Sequence, residues 1–421
     1  MSDVWLGLDL GTSGVRAIAI DSVGDIAASA ESALLSGTRP AANRHEQDPG
    51  AWWQATSKVI GAIARDPGLR IRAIAVDGTS ASVLPIDAQG EPLGPAWMYD
   101  DARCVEAAAK IAAVAPAESA AHGAGSSLAK CLTLAQLHPR GTRFVHQADW
   151  IAGRLLGRYD VSDENNALKM GYDPVERAWP AWLERLGIPL GELPRVVAPG
   201  TGLGTLDSAV ARSLDLDPDC EVVAGTTDST AAAIAAGLDR PGRGITSLGS
   251  TLVVKIVSDR PIFDAARGVY SHRVGDLWLA GGASNSGGAV VRQFFDDATI
   301  AELSRHINAS QPSGLDYYPL PATGERFPDP DPQRTPQLQP RPTDDVVFLH
   351  GLLEGIAKIE ARAFDVLHAL GAPALREIVT LGGGARNTVW SEIRSRLTGV
   401  PVHAAEHTEA AYGGALLARD H

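Results

Sequence analysis

Apolar runs near the start of the chain set its architecture. VWLGLDL (4–10) and VRAIAID (15–21) are strand-like stretches around Gly-Thr-Ser-Gly, which predicts a hairpin with a glycine-rich turn. IRAIAVD (71–77) adds a third strand ending at Asp77-Gly78, and residues 49–64 carry apolar positions at helical spacing. A mixed sheet with helices packed on it is therefore expected. Residues 102–121 read as an alanine-rich surface helix and 144–157 as a further helix. The second half repeats the pattern: GITSLGSTLVVKIV (244–257) again sets two strand-like runs around a tight polar turn. Residues 346–370 have long helical periodicity, and REIVTLGGGARN (376–387) reads as strand, glycine turn and helix start. The proline-rich stretch 317–342 is expected to be a long ordered loop.

Two similar hairpins imply two α/β domains built on one plan, with a ligand held where they face each other. The boundary is expected near 221, giving domains 1–221 and 222–421, so that EVVAG (221–225) becomes an early strand of the second domain. A length of 421 residues suits two cores. Fifty acidic against 37 basic side chains give a formal charge of -13, which argues against nucleic acid or anionic membrane as partners. Cys104, Cys131 and Cys220 are odd in number and widely spaced, as in a reduced cytoplasmic protein, and no apolar run reaches the ~18 residues of a membrane span.

Candidate chemistry gathers at the turns. In LDLGTSG, the backbone around Gly11, Thr12 and Ser13 can converge on an anion, and SLGST offers the same with Gly249, Ser250 and Thr251. Neither fits the G-x-x-x-x-G-K-[ST] pattern. GGASNSGG (281–288), with Gly282, and LGGGARN (381–387), with Gly383, Gly384 and Asn387, can lie bare against a nucleobase or ribose. Asp9 beside the first turn either caps it or shares a divalent cation, Mg2+ by preference, with a bound phosphate. Asp77, Thr79 and Ser80 can receive a polyol, as can the Tyr99-Asp100-Asp101-x-Arg103 stretch. Asp228 in AGTTDST (224–230) either caps the following helix or takes a proton. No H-E-x-x-H motif and no serine nucleophile elbow is present, so hydrolase chemistry has little support.

Taken together, GLDLGTSGVRAIAID, VAGTTDSTAAAIAAG, TSLGST and VTLGGGARNTVW resemble, in order, the phosphate, catalytic-aspartate, second phosphate and adenosine motifs of the FGGY carbohydrate kinases. The resemblance implies two ribonuclease-H-like, actin-like ATPase domains around a central cleft, with the sugar mainly on the first and ATP mainly on the second. It implies Asp228 as general base and Asp9 as the residue orienting Mg2+-bound phosphate or the hydroxyl. Asp9, Ser13, Gly14, Arg16, Ser80, Asp101 and Asp228 are then expected to face the sugar. Gly11, Thr12, Ser13, Gly249, Ser250, Thr251, Gly282, Gly383, Gly384 and Asn387 are expected to face ATP. SSLAKCLTL, NNALKMGY and SGLDYYPLP also resemble short cyanobacterial and plant-plastid kinases similar to D-ribulose kinases, while VDGTSASVL departs from the Gly-Gln-x-His-Gly loop of many xylulokinases. Phosphorylation of D-ribulose at O5 is thus the expected reaction for a monomer or homodimer. D-xylulose or another ketose or polyol is the alternative substrate, and an actin-like sugar or ATP sensor the non-enzymatic alternative.

Overall fold

The computed structural model describes residues 1–35 and 37–421, which fall into two compact units. The first comprises Met1–Ala235, His272–Gly275 and Glu409–His421; the second comprises Ala236–Ser271 and Asp276–Thr408.

The first unit is built on β1 (Ser2–Leu10), β2 (Gly14–Ile20), β3 (Ile26–Ala33), β4 (Leu69–Gly78), β5 (Gly202–Thr205) and β6 (Glu221–Val223), in the order β5-β6-β4-β1-β2-β3. β1 and β2 are antiparallel across the glycine turn, while β4 runs parallel to β1 and β6 parallel to β4. Alternation along β1 sorts its side chains between two faces. Val4, Leu6, Leu8 and Leu10 enter the core with Trp52, Val59 and Ile60 of α1 (Pro49–Ala64). That helix starts where the Asp48 carboxylate accepts from the Gly50 N–H and Pro49 fills the first turn. Trp5, Gly7 and Asp9 have the opposite parity. At Gly7 the helix Ala410–Arg419 comes so close that a Cβ would lie 1.9 Å from the Ala411 carbonyl oxygen.

Local pattern misleads at three places in this unit. The alanine-rich stretch forms a helix only over Val105–Ala112, with Ala107 and Ile111 buried, and Pro116 bars its continuation. Residues 144–157 divide into a strand end, Arg143–His146, and α2 (Gln147–Leu156), because Val83 to Ile86 offer a pairing edge to 143–146. The boundary expected at 221/222 lies instead at Ala235/Ala236. β6 adds to the first sheet, Glu221 pairing with Ala73, and carries the segment through α3 (Asp228–Ala235) with it.

In the second sheet β7 (Arg243–Leu248), β8 (Leu252–Ser258), β9 (Tyr270–Val274), β10 (Leu277–Ser284), β11 (Glu377–Leu381) and β12 (Val402–Ala404) take the order β9-β10-β8-β7-β11-β12; all but His272–Val274 of β9 belong to the second unit. β10, β8 and β7 form an antiparallel meander, and β11 and β12 continue it in parallel. The same succession appears in β3, β2, β1, β4 and β6, so the repeated plan is real. α4 (Asp345–Ala369) buries Phe348, Leu352, Ile356 and Phe364 beneath this sheet, with Trp390 and Ile393 of α5 (Thr388–Thr398) in the same core. Residues 317–342 contain no regular element; isolated bridges pair Tyr318 with Gln337 and Glu325 with Asp331, and Tyr317, Leu320 and Phe327 anchor the stretch in the interior. Among the described residues no helix is long and apolar enough to cross a membrane.

Candidate active site

Strand register places two carboxyl groups side by side. β1 and β4 are parallel with Asp9 opposite Asp77; Asp77 is fully buried and Asp9 is 7% exposed. Among the described residues neither buried Asp77 oxygen has a hydrogen-bond partner, and the residue opposite it in the strand register is Asp9, so ionising both carboxyls together is disfavoured. Burial, reinforced by the charges of Asp9 and Asp228, pushes the Asp77 carboxyl well above the usual carboxylate range. Burial raises Asp9 as well, although Arg16 Nη1 donates to Asp9 Oδ2 at 3.2 Å and opposes the shift.

A raised folded-state value makes Asp77 a pH-dependent contributor to stability. Its contribution is complete below the unfolded value, near 3.9, and is lost as pH rises through the folded one. Asp77→Asn, which mimics the neutral acid, is expected to flatten the fall in Tm as pH rises above about 4, with about 2–4 °C recovered per kcal/mol at the alkaline end. Thermal melts that decline equally steeply for parent and variant would remove the neutral-acid assignment.

The third carboxylate, Asp228, opens α3. Capping falls to its neighbour: the Thr227 carbonyl accepts from the Thr230 and Ala231 N–H groups, each at 2.9 Å, and the Thr227 and Thr230 hydroxyls pair at 2.9 Å. Asp228 Oδ1 accepts from the Ser229 N–H at 2.6 Å. The loop before it is pressed on the end of β4, since a Cβ at Gly225 would lie 1.8 Å from the Val76 carbonyl oxygen and Thr227 bridges Gly78. A cavity of about 1070 Å³ lies elsewhere in this unit, walled by Leu132, Phe144, Trp179 and Leu193, and touches none of the three carboxylates.

The remaining first-unit candidates divide. Gly11, Thr12, Ser13 and Gly14 form the turn directly after Asp9: the Gly11 N–H donates to the Gly14 carbonyl at 3.0 Å and Gln47 Nε2 to the Thr12 carbonyl at 2.8 Å. Ser80 is half-buried in the turn after β4, beside a Thr79 hydroxyl that donates to Gln147 Oε1 at 2.7 Å. Asp101 departs from expectation. It is fully buried and saturated by the His45 N–H at 2.8 Å, Arg103 Nε at 2.9 Å and Arg103 Nη2 at 2.5 Å, with the guanidinium 4.1 Å over Trp97. It braces a loop and has no open face for a sugar; its half-buried neighbour Asp100 pairs with Arg39 and His45.

In the second unit three glycine turns converge at the end of β7. The carbonyls of Gly249 and Ser250 accept from the Gly288 and Ala289 N–H groups at 2.9 and 3.1 Å, and a Cβ at Gly287 would lie 2.7 Å from the Thr251 carbonyl carbon. Gly382, at φ 82°, passes 2.9 Å, measured from its Cβ position, from the Leu248 carbonyl oxygen. Gly384 packs on the Leu248 side chain and Gly383 is exposed between them. Two expected members do not join this cluster as ligand groups. Gly282 lies within β10, where a Cβ would meet Phe327 at 2.8 Å, so its smallness serves packing. The Asn387 amide caps α5, accepting from the Trp390 N–H at 3.0 Å and donating to Ser304 Oγ at 2.8 Å.

Two residues beside these turns escaped sequence reasoning. Arg292 brings guanidinium nitrogens within 3.2 and 3.8 Å of the Cβ positions of Gly288 and Gly383, and its only signal is a place four residues after a glycine pair. Buried Glu325 accepts from Ser284 Oγ at 2.7 Å and the Asn285 N–H at 2.8 Å, fastening the loop that leads to Gly287. Nothing in its proline-rich surroundings marks it.

Two α/β units on one plan, carboxylates at strand ends in the first and stacked glycine turns in the second, define an actin-like, ribonuclease-H-like phosphotransferase fold. The chain belongs to the FGGY family of carbohydrate kinases, whose N-terminal domain matches residues 4–235 and whose C-terminal domain matches 244–419. It is therefore an ATP-dependent kinase of a small carbohydrate. It is similar to a xylulose kinase of Escherichia coli K12, at 26% identity over 94% of this chain and 85% of the relative. A xylulose kinase of Streptomyces coelicolor is 29% identical over 97% and 86%. Among solved structures, one from Brucella ovis described as a xyloylose kinase superposes with a TM-score of 0.90 at 26% identity, covering 99% of this chain and 90% of that one. None of these three is described as a D-ribulose kinase.

Proposed function

We propose that the protein transfers the γ-phosphoryl group of ATP to the primary O5 hydroxyl of a pentulose, with D-xylulose as leading substrate. The observation that carries the chemistry is the gathering of Asp9, Asp77 and Asp228 in one unit, at the ends of β1 and β4 and the start of α3. Asp228 accepts the O5 proton as O5 bonds to the γ-phosphorus and the bond from phosphorus to the ADP oxygen breaks. Asp77 remains neutral behind Asp9, so the pair carries less negative charge toward an incoming phosphate than two ionised carboxylates would.

Mg2+ takes many of its ligands from phosphate and water, so it needs few side chains from the protein. The hard oxygens of Asp9 fit such an ion; once bound it neutralises charge on the phosphate oxygens. Ser13, Gly14, Arg16 and Ser80 are assigned to the sugar side. Gly11 and Thr12, the turn Gly249–Thr251 and the turn Gly383–Gly384 are assigned to ATP, with Arg292 added to them.

The names carried by the relatives move D-xylulose ahead of the expected D-ribulose. D-ribulose is the second reading, favoured by the Asp77–Ser82 loop, DGTSAS, which lacks the Gly-Gln-x-His-Gly pattern. An ADP-release assay with Mg-ATP over D-xylulose, D-ribulose, ribitol and glycerol is expected to give the highest kcat/KM with D-xylulose. A higher value for D-ribulose would exchange the two readings. Absence of ADP release with all four compounds, while ATP still binds, would instead indicate a sensor.

A further inference from the structure

We propose that Asn165 is a positioning residue for phosphoryl transfer, its carboxamide holding the backbone that presents Asp228. The inference rests on the reading of Asp228 as base. Asn165 is 1% exposed and spends its amide on two segments far away in sequence. Nδ2 donates to Thr226 Oγ1 at 2.9 Å and to the Arg273 carbonyl at 2.9 Å, while Oδ1 accepts from the Arg273 N–H at 3.0 Å. Both amide hydrogens and the carbonyl are thus in use. The residue itself is anchored, because its own N–H donates to the buried Asp163 carboxylate at 2.8 Å.

The segment it grips has a particular need of a side anchor. From Val223 to Asp228 the chain leaves β6 through Ala224 and Gly225 and enters α3 without a regular ladder. Gly225 and Thr227 are pressed toward β4, by the close approach to Val76 and the bridge to Gly78. Thr226, fully buried, alternates with them, and its hydroxyl is held by Asn165. Two residues later comes Asp228. Gripped on both sides, the loop cannot roll about its axis, and a displacement of about 1 Å at a reacting group lowers turnover by about 10²-fold. Arg273 gives the amide a second fixed point, through the hairpin tip His272–Gly275 that counts with the first unit.

Thr226→Val keeps the shape and removes the acceptor, Thr226→Ser restores it, and Asn165→Asp removes the donor. With saturating Mg-ATP and D-xylulose or D-ribulose, whichever turns over faster, Thr226→Val and Asn165→Asp are expected to lower kcat about tenfold or more, with KM for ATP changed less than about twofold. Thr226→Ser is expected to recover kcat to within about threefold of the parent, and the double variant to be little worse than the poorer single one. A serine variant as slow as valine, or a valine variant with parental kcat, would overturn the inference. Equal losses in kcat and in Tm, with KM for both substrates also altered, would reduce Asn165 to a folding contact and overturn it too. Asp228→Asn measured in parallel separates the failures: parental turnover there removes the base itself, whereas an inactive Asp228→Asn beside a fully active Thr226→Val removes only the role of Asn165.

Discussion

Asp228→Asn protein is expected to bind Mg-ATP as the parent does and to phosphorylate D-xylulose or D-ribulose about 10²- to 10⁴-fold more slowly, the range a positioned general base supplies. The substitution keeps the shape of the side chain and its acceptance from the Ser229 N–H at Oδ1. It leaves the start of α3 in place, since Thr227 and Thr230 cap it. What disappears is an atom that can hold the hydroxyl proton while the new phosphorus–oxygen bond forms. Single-turnover ADP release, with calorimetric titration of ATP, checks both halves of the expectation. Turnover within tenfold of the parent would mean that the proton leaves by another route.

The second large effect concerns stability and a residue pair in the core of the second unit. Arg394 and Glu360 have side chains about 1% exposed and form a two-pronged ion pair, Nε to Oε2 at 2.6 Å and Nη2 to Oε1 at 2.7 Å. The Thr246 hydroxyl donates to Glu360 at 2.5 Å and Arg394 Nη1 donates to the Thr380 hydroxyl at 2.8 Å, so the pair ties α4 and α5 to β7 and β11. Arg394→Met leaves a carboxylate buried without its cation and is expected to destabilise the second unit by about 3–5 kcal/mol. Glu360→Leu combined with Arg394→Met removes both charges and is expected to recover much of that loss. Trp390, whose indole N–H donates to the Leu353 carbonyl at 3.0 Å in the same core, reports the transition in urea. A single variant within 1 kcal/mol of the parent, on the scale of an exposed pair, would contradict this account.

Sequence and structure agree best where a signal is local. The hairpin turns after Asp9 and Leu248, the strand ending at Asp77 and the helix opening at Asp228 all follow from alternation and glycine placement within a few residues. Misreadings arise where a partner is distant. Asp101 looks like a sugar-facing loop acid until His45 and Arg103 are seen to fill its oxygens, and Gly282 looks like a ligand glycine until Phe327 is found against it. Placing the boundary at 221/222 treated Glu221–Val223 as the first strand of something new, although its pairing edge is β4. Asn165, Arg292 and Glu325 carry no periodicity or spacing of their own; each matters only through residues that folding brings to it.

The close fit of Gly7 against Ala411, and of Gly413 against the Ala231 carbonyl oxygen, has a consequence for how the protein is made. Its first strand leaves the ribosome long before the helix that covers it. At about 5–20 residues per second, some 400 residues separate the two by roughly 20 to 80 s. During that interval the whole second unit is synthesised, its last residue, Thr408, just ahead of the helix, while one face of the earlier-made sheet lacks its cover. This early-made sheet is therefore among the last parts to be completed, and during translation the Asp9 face is the one left open to water and to chaperones.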